Sequence, residues 1–483
     1  METADVVIAG AGPVGLMLAR ELRLAGAEVV VLEARTERTD ESRAGGMHAR
    51  TLEVLDQRGI AEPFLAAGRA MQVGHFAGIP LDFSGFATRY PYMLFLPQIH
   101  VERILEPLTT DLGARIEWDS AVTGFTQDGH GVTVEAGGRK ITASYLVGCD
   151  GGRSAVRKLA RIAFPGTEVT TNSLLADVVL ADPPPESIFQ RRTELGSYSA
   201  FSFGDGFHRV IVTMPDATDH RGQAPGLEDL RREFKAMAGT DFGMHSPKWL
   251  SRFGDAARQA EQYRDGRVLL AGDAAHVHFP AGGQGLNLGV QDAVNLGWKL
   301  GAVIAGRAPR SLLESYHAER HPVGARVLHN TRAQTALTWP GSHTDALREV
   351  IGELVALGEA NRHLGHMITA LDVRYATACA HPLAGRRVPD ADIEGPQGQR
   401  RVFELLHRAR PVLLDLAGEV GVAEGRVEVV AAKSINPEWT DPVLGAVKVP
   451  AAVLIRPDGH IAWAADEPGE TGGLDEALAE IGV

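Results

Sequence analysis

The chain opens with a short apolar run at residues 6–9, then a glycine turn, a stretch whose apolar residues recur at helical spacing, and a second apolar run at 28–32. This reads as strand, helix and strand, a βαβ unit that requires a right-handed crossover and a parallel sheet. Further strand-like segments at 115–118, 131–135 and 141–147 are expected to complete or flank that sheet. From about 167 to 263 apolar and polar positions alternate (SLLADVVLAD, SYSAFSF, HRVIVTM), interrupted by one helical insert, LEDLRREFKAMAG; this predicts a mostly antiparallel sheet. The chain then returns to a buried strand in RVLLAGDAAHVHF. Two helical stretches follow, NLGVQDAVNLGWKLGAVIAG and 312–336, with Pro322 expected to kink or end the second. PDADIEGPQGQR reads as a linker near residue 395, and the tail holds strands (VLLDL, VEVVA, AVLIR) and a short closing helix.

This pattern predicts an α/β protein. A Rossmann-like dinucleotide domain is built from 1–166 and 264–394, an antiparallel-sheet domain of 167–263 is inserted in it, and a C-terminal unit occupies 395–483. A length of 483 residues suits about three units. Hydrophobic residues at 44% and charged ones at 23% match a folded globular chain. The opening METADVVIAG lacks a basic leader and no apolar run is long enough to span a bilayer, so a cytoplasmic protein without a membrane partner is expected. A net charge of −13 argues against a nucleic-acid partner. Cys149 and Cys379 are too few for a disulfide framework or a thiolate zinc site.

Gly10-Ala11-Gly12-Pro13-Val14-Gly15 sits between strand and helix, where missing side chains permit a tight turn and a close approach of backbone N–H groups to a pyrophosphate. Glu33, ending the second strand, is placed to accept hydrogen bonds from ribose hydroxyls. The fingerprint alone does not choose between NAD and FAD. Residues 279–287 carry glycines at 282, 283 and 285 and run into a helix, so free N–H groups there can stabilise negative charge. No metal is expected: His276 and His278 lack a third ligand, and HAERH (His317, His321) lacks the glutamate placement of HExxH, leaving helix-end structural roles for that pair. Neither a GxSxG elbow nor a GxxxxGK[ST] loop is present.

CDGGRSAVRK (149–158) and RVLLAGDAAHVHFPAGGQGLNLGVQDAVNLGWKL (267–300) resemble the second and third FAD signatures of single-component flavoprotein aromatic hydroxylases. ESRAGGMHARTLEVLDQRG and TDFGMHSPKWLSRFGDAARQAEQYR are similar to the actinobacterial branch acting on polyketides and antibiotics, the anhydrotetracycline-type hydroxylases and rifampicin monooxygenases. The resemblance implies FAD as cofactor, NADPH or else NADH as transient reductant, and O2 and a bulky polycyclic aromatic as substrates. Oxygen would be transferred from a flavin C4a-hydroperoxide, with no side-chain acid or base obligatory. It implies that Asp273 binds a ribityl hydroxyl, the alternative being a helix cap. Arg43 and Gln98 would reach the phosphates or ribityl chain, a solvated surface Arg43 being the alternative. Backbone contacts would come from Val14, Ala34, Val122 and Leu286. Asp150, with Gly151 and Gly152, would serve FAD and the nicotinamide, while Arg153 and Arg157 fit an unspecific salt-bridge role equally well.

By the same resemblance, Pro280, Gly283, Gly285 and Asn287 would lie near the isoalloxazine. Phe95, Phe201, Phe203, Val212, Pro280 and Ala281 are expected to wall the substrate pocket, with ordinary core packing as the alternative for each. Phe76, Phe83, Phe86, Tyr90 and Tyr92 would line its entrance. The tail is similar to the thioredoxin-like unit of larger hydroxylases, with Val449-Pro450 where a cis-proline would stand; lacking CxxC, it is not expected to be redox-active. A monomer or homodimer is expected. Two other readings are a flavin-loaded protein that sequesters an antibiotic or intermediate without turnover, and a flavin-dependent halogenase, against which the absence of WxWxIP argues.

Overall fold

The computed structural model describes residues 2–186, 188–203, 206–216, 218, 224–421 and 427–483. Its central strand, Glu2–Ala9, pairs in parallel with Val29–Leu32 on one side and Arg139–Gly148 on the other. Arg115–Glu117 and Val268–Leu270 extend the sheet outward, again in parallel. Val6, Val7, Ile8, Val31, Leu146 and Val147 are all fully buried, so both faces of these strands are covered, and the sequence there is continuously apolar for that reason.

The long helix Gln284–Ile304 packs against the first helix, Pro13–Leu24. A Cβ at Gly297 would lie 2.4 Å from the Glu21 Cβ, and one at Gly301 would lie 2.4 Å from the Ala25 Cβ. The i, i+4 glycines of NLGWKLG therefore let the two backbones approach more closely than side chains would allow.

The inserted sheet is antiparallel throughout, in the order Ile188–Thr193, Gly196–Ser202, His208–Pro215, Thr171–Leu180, Met244–Gly254. On one face Leu174, Ala176, Val178, Val210 and Val212 form a core with Leu230 and Phe234 of the helix Leu227–Ala238. Strand alternation turns Leu175, Asp177, Phe201 and Arg209 to the other face, toward the nucleotide unit. Two of the five strands were not expected. Ile188–Thr193 is a polar edge strand, and Met244–Gly254 carries Pro247 and Lys248, which mask the alternation.

Pro322 neither ends nor divides the helix Glu314–Ala336, because its missing N–H forfeits a single bond. His317 lies in the first turn of this helix and His321 one turn further in, their rings 4.6 Å apart beside Tyr263, so the expected helix-end setting holds for His317 and not for His321. The presumed linker folds as a hairpin, Asp392–Gly395 with Gly398–Arg401. Its Ile393 packs with Leu383, Val388, Val412, Trp439 and Ile455 in a second core. The C-terminal sheet runs Glu428–Ala431, Val412–Asp415, Ala452–Ile455, Ile461–Ala465, the first pair parallel and the others antiparallel. It is seated on the long helix, where Trp298 packs with Leu413, Leu454 and Trp463. Contrary to expectation the Val449-Pro450 bond is trans, since no cis peptide occurs among the described residues and nothing overrides the usual trans preference. No helix among them is long and apolar enough to cross a membrane.

Candidate cofactor and substrate site

Three separated segments converge at the carboxyl ends of the parallel strands. Gly10, at φ +103°, passes so near the second segment that a Cβ would lie 2.4 Å from the Cys149 carbonyl oxygen. A Cβ at Gly15 would lie 2.0 Å from the Gly10 oxygen, whereas nothing lies within 4 Å of one at Gly12. Two glycines thus close the turn and the third opens onto free space. No side chain caps the helix Pro13–Leu24, so its positive end, including Val14, is available to an anion.

Glu33 accepts from Ala11 N at 2.9 Å through Oε2 and from Arg35 N and Nε at 3.0 and 2.9 Å through Oε1. Burial alone would raise its pKa; the Arg35 and Ala11 hydrogen bonds outweigh that and hold it below the usual carboxylate value. Ala34 is exposed beside it, and Ser120 N donates to the Glu33 carbonyl at 2.8 Å, which brings the strand beginning at Val122 close by.

Asp150 caps the helix Ala155–Leu159, its Oδ2 accepting from Ala155 N and Val156 N at 2.7 and 3.1 Å, while its buried Oδ1 has no partner. The buried Arg157 donates to Gly152 O at 2.8 Å and to Ala274 O at 2.7 Å, so its role is to clamp the second segment to the third rather than to form a generic salt bridge. Asp273, between Gly272 and Ala274, is exposed and its carboxylate accepts no hydrogen bond among the described residues.

The loop before the long helix is pinned from outside. Asn287 accepts from His48 N at 2.8 Å and donates to Gly46 O and Gly283 O at 3.2 and 2.8 Å, so its side chain serves the protein rather than facing outward. His48 Nε2 meets Gly282 O at 2.7 Å, and burial pushes the ring down to about 4, so it is neutral. Gly282 and Gly283, at φ +70° and +66°, form a turn that bulkier residues resist. A Cβ at Gly283 or Gly285 would meet nothing nearer than 3.7 Å, Leu286 packs partly against the core, and the helix N-terminus again has no side-chain cap. Gln98 bridges Ala44 N and Glu102. Arg43 is exposed and paired with Glu41 at 2.8 Å.

Aromatic side chains gather at the seam with the inserted sheet. Phe95 and Phe203 stack at 5.6 Å, and Phe201 shares the Arg209 face of the sheet. Arg209, buried, holds Asp177 at 2.9 Å and donates to the carbonyls of Ser42 and Arg43. Phe253 lies 5.8 Å from Phe279, just before the exposed Pro280 and half-buried Ala281. Val212 is not part of this wall: it faces the opposite side, in the core under Leu230 and Phe234. The entrance also differs from expectation. Phe76, Phe83, Phe86 and Tyr90 are buried in the main core, Phe86 against His366 at 4.7 Å, and only Tyr92 is half-exposed. Arg209 and Asp292 were missed, and Arg157 was named only for an unspecific salt bridge, although an acidic residue inside an apolar run, Asp177 or Asp292, signals that a buried cation must answer it.

Residues 3–331 match the family described as FAD binding domain, and residues 381–482 the aromatic-ring hydroxylase C-terminal family. The chain is 48% identical to the 12-dehydrotetracycline 5-monooxygenase/anhydrotetracycline 6-monooxygenase of Streptomyces rimosus over 98% of each chain. It is 46% identical to a rifampicin monooxygenase of Streptomyces venezuelae over 96% of each. A solved anhydrotetracycline hydroxylase from Streptomyces rimosus superposes with a TM-score of 0.93 at 48% identity, over 100% of this chain and 99% of that one. FAD fits the residues present: an open glycine face on an uncapped helix, an ionised Glu33, an unengaged Asp273 carboxylate and a second uncapped helix N-terminus. The chain belongs to the FAD-dependent aromatic-ring hydroxylases and is a flavoprotein monooxygenase.

Proposed function

We propose that this enzyme hydroxylates a bulky polycyclic aromatic of the polyketide or antibiotic type, using O2 and NADPH or NADH. The observation that carries this reading is the seam itself, where the Phe95–Phe203 stack stands on the strand pair whose Gly46 carbonyl is tied by Asn287 to the open Gly283 turn. When bound and reduced, FAD would supply the activation of dioxygen, one atom of which goes to the ring and the other to water. In this reading Gly10, Gly12 and Gly15 with the uncapped helix bind the pyrophosphate, Glu33 the ribose and Asp273 the ribityl chain. Backbone N–H groups at Gly285 and Leu286 would offset negative charge at the isoalloxazine, the Gly283 N–H being given to Pro280 O at 3.1 Å. His48 stays neutral at physiological pH and adds no competing cation.

The assignment gives FAD to 1–166 and 264–394, and the substrate to the seam with 167–263. A thioredoxin-like, redox-inert scaffold is assigned to 395–483; its one parallel and two antiparallel pairings and the lack of CxxC support this. A cytoplasmic monomer or homodimer suits a nicotinamide-fed reaction. The test is NADPH oxidation by the FAD-loaded protein with anhydrotetracycline, rifampicin and other aromatic polyketides, under labelled dioxygen. Ligand-stimulated oxidation with one labelled oxygen in the product is expected. Tight binding without stimulated oxidation would identify a sequestering protein instead.

A further inference from the structure

Behind the turn that carries Asp273 lies a buried carboxylate that no step of the chemistry requires. Asp292, midway along the long helix, is fully buried. Its Oδ2 takes Gly272 N at 3.2 Å and His276 Nε2 at 2.7 Å, one residue before Asp273 and three after it. Its Oδ1 takes Arg320 Nε at 2.7 Å. Burial would raise this carboxyl; Arg320 and then His276 outweigh it and keep Asp292 ionised. The three N–H donors that meet it, from Gly272, His276 and Arg320, have no water to turn to if it is lost.

The chain of contacts continues away from the cofactor. Arg320 is also fully buried, donates to Leu288 O at 3.2 Å, and gives its remaining terminal nitrogen to the Tyr375 hydroxyl at 3.0 Å. The ring of Tyr375 is held by the C-terminal unit: it lies 4.2 Å from the ring of His460, with the Arg456 guanidinium 5.2 Å away, while the Tyr375 N–H donates to Gly385 O at 2.9 Å in the segment just before that unit. His460 is fixed in turn beside Asp458, which also takes Trp298 Nε1 at 3.1 Å.

We propose that the C-terminal unit is a working part of the cofactor site: through Tyr375 it sets Arg320, Arg320 sets Asp292, and Asp292 sets the Gly272 turn from which Asp273 reaches FAD. Asp292, Arg320 and Tyr375 are thus positioning residues. The inference rests on the assignment of Asp273 to the cofactor. Gly272 stands at φ +62°, and a Cβ there would lie 2.9 Å from Val14 Cγ2, so the turn is tightly seated against the glycine motif. A small rotation of Asp292 is transmitted directly to both.

The experiment titrates apoprotein with FAD, followed by flavin fluorescence, and records the visible circular dichroism of the bound flavin and the melting temperature of the apoprotein. Tyr375→Phe keeps the ring against His460 and removes only the hydroxyl. It is expected to raise the FAD Kd about 5-fold and alter the flavin dichroism, while apoprotein melting falls no further than in the comparator that follows. Leu414→Ala, in the C-terminal core away from this chain of contacts, is the comparator; it is expected to lower melting and leave Kd and dichroism unchanged. Wild-type Kd and dichroism in Tyr375→Phe, or an equal loss in Leu414→Ala, would overturn the proposal. Asp273→Asn tests the underlying assignment separately: a weakened Kd there with an unaffected Tyr375→Phe condemns this inference alone, and an unaffected Asp273→Asn condemns the assignment.

Discussion

Phe95 and Phe203 stack with ring centroids 5.6 Å and planes 26° apart, although Phe95 ends the strand Met93–Phe95 and Phe203 follows the strand Gly196–Ser202 of the inserted sheet. Arg69 lies 5.8 Å from the Phe95 ring and Arg209 5.2 Å from the Phe203 ring, so a cation flanks the pair at each side. Both rings are half-exposed, which distinguishes them from the aromatic residues at 76–90 that the core absorbs. An offset pair with free edges presents a flat apolar surface to a planar ligand.

Truncating one ring of this pair should therefore weaken substrate capture and spare the cofactor. Phe203→Ala is expected to raise KM for an aromatic polyketide about tenfold, the equivalent of roughly 1.4 kcal/mol, with FAD affinity unchanged. Steady-state NADPH oxidation checks the first part and flavin fluorescence the second. An unchanged KM would place the ring elsewhere.

Glu33 makes the opposite prediction. Its buried carboxylate already holds Ala11 N and Arg35, and an ionised acceptor is needed for both these bonds and a ribose hydroxyl. Glu33→Gln is expected to raise the FAD Kd about 10- to 100-fold, since hydrogen bonds to a charged group contribute about 1.5–3 kcal/mol. Once saturated with FAD, the variant should turn over near the wild-type rate, because Glu33 lies at the nucleotide end.

The βαβ opening, the antiparallel insert and the glycine turns were legible because strand and helix periodicities there are undisturbed and the glycines have no substitute. Burial direction was less legible. Val212 and Phe201 stand in neighbouring alternating strands, yet only the cross-strand register, which pairs Phe201 with Arg209, shows which faces the seam. The aromatic residues at 76–90 read as a pocket lining because composition cannot distinguish an apolar wall from an apolar core. Long-range clamps were not legible at all. Arg157 reaches Ala274, and Arg209 reaches Ser42 and Arg43, across separations that no local pattern encodes.

The junction with the C-terminal unit is charged as well as apolar, so the unit should not be dispensable. Arg58, fully buried at its side chain, is bound by Glu21 at 2.6 Å and donates to Leu406 O and Pro457 O at 3.2 and 2.8 Å. Glu319 is bound by Arg456 at 2.7 Å. Ending the chain at residue 380 would strip Arg58 of two carbonyl acceptors and break the Glu319–Arg456 pair, and breaking one buried pair costs about 3–5 kcal/mol. That approaches the whole stability of a typical domain. The shortened chain is expected to be recovered unfolded or aggregated even with excess FAD; a cooperative melt from it would refute this.

Acid stability should report on the same junction. Glu319 takes Lys299 at 2.8 Å, Arg456 through both oxygens at 2.7 and 2.8 Å, and Asn295 at 2.6 Å. Burial opposes its ionisation, but Arg456 and then Lys299 prevail and bring its pKa from 4.5 down to about 2. Because the folded value is the lower one, the unfolded chain binds the proton first. The stabilisation is complete above pH 4.5 and is lost as the pH falls toward 2, amounting to about 3 kcal/mol in all. Glu319→Gln leaves Lys299 and Arg456 without their counter-charge, so it should be less stable than wild type at pH 7 and show a shallower decline between pH 5 and pH 3. Urea unfolding across that range gives both slopes, and parallel slopes would mean that other carboxylates carry the acid transition.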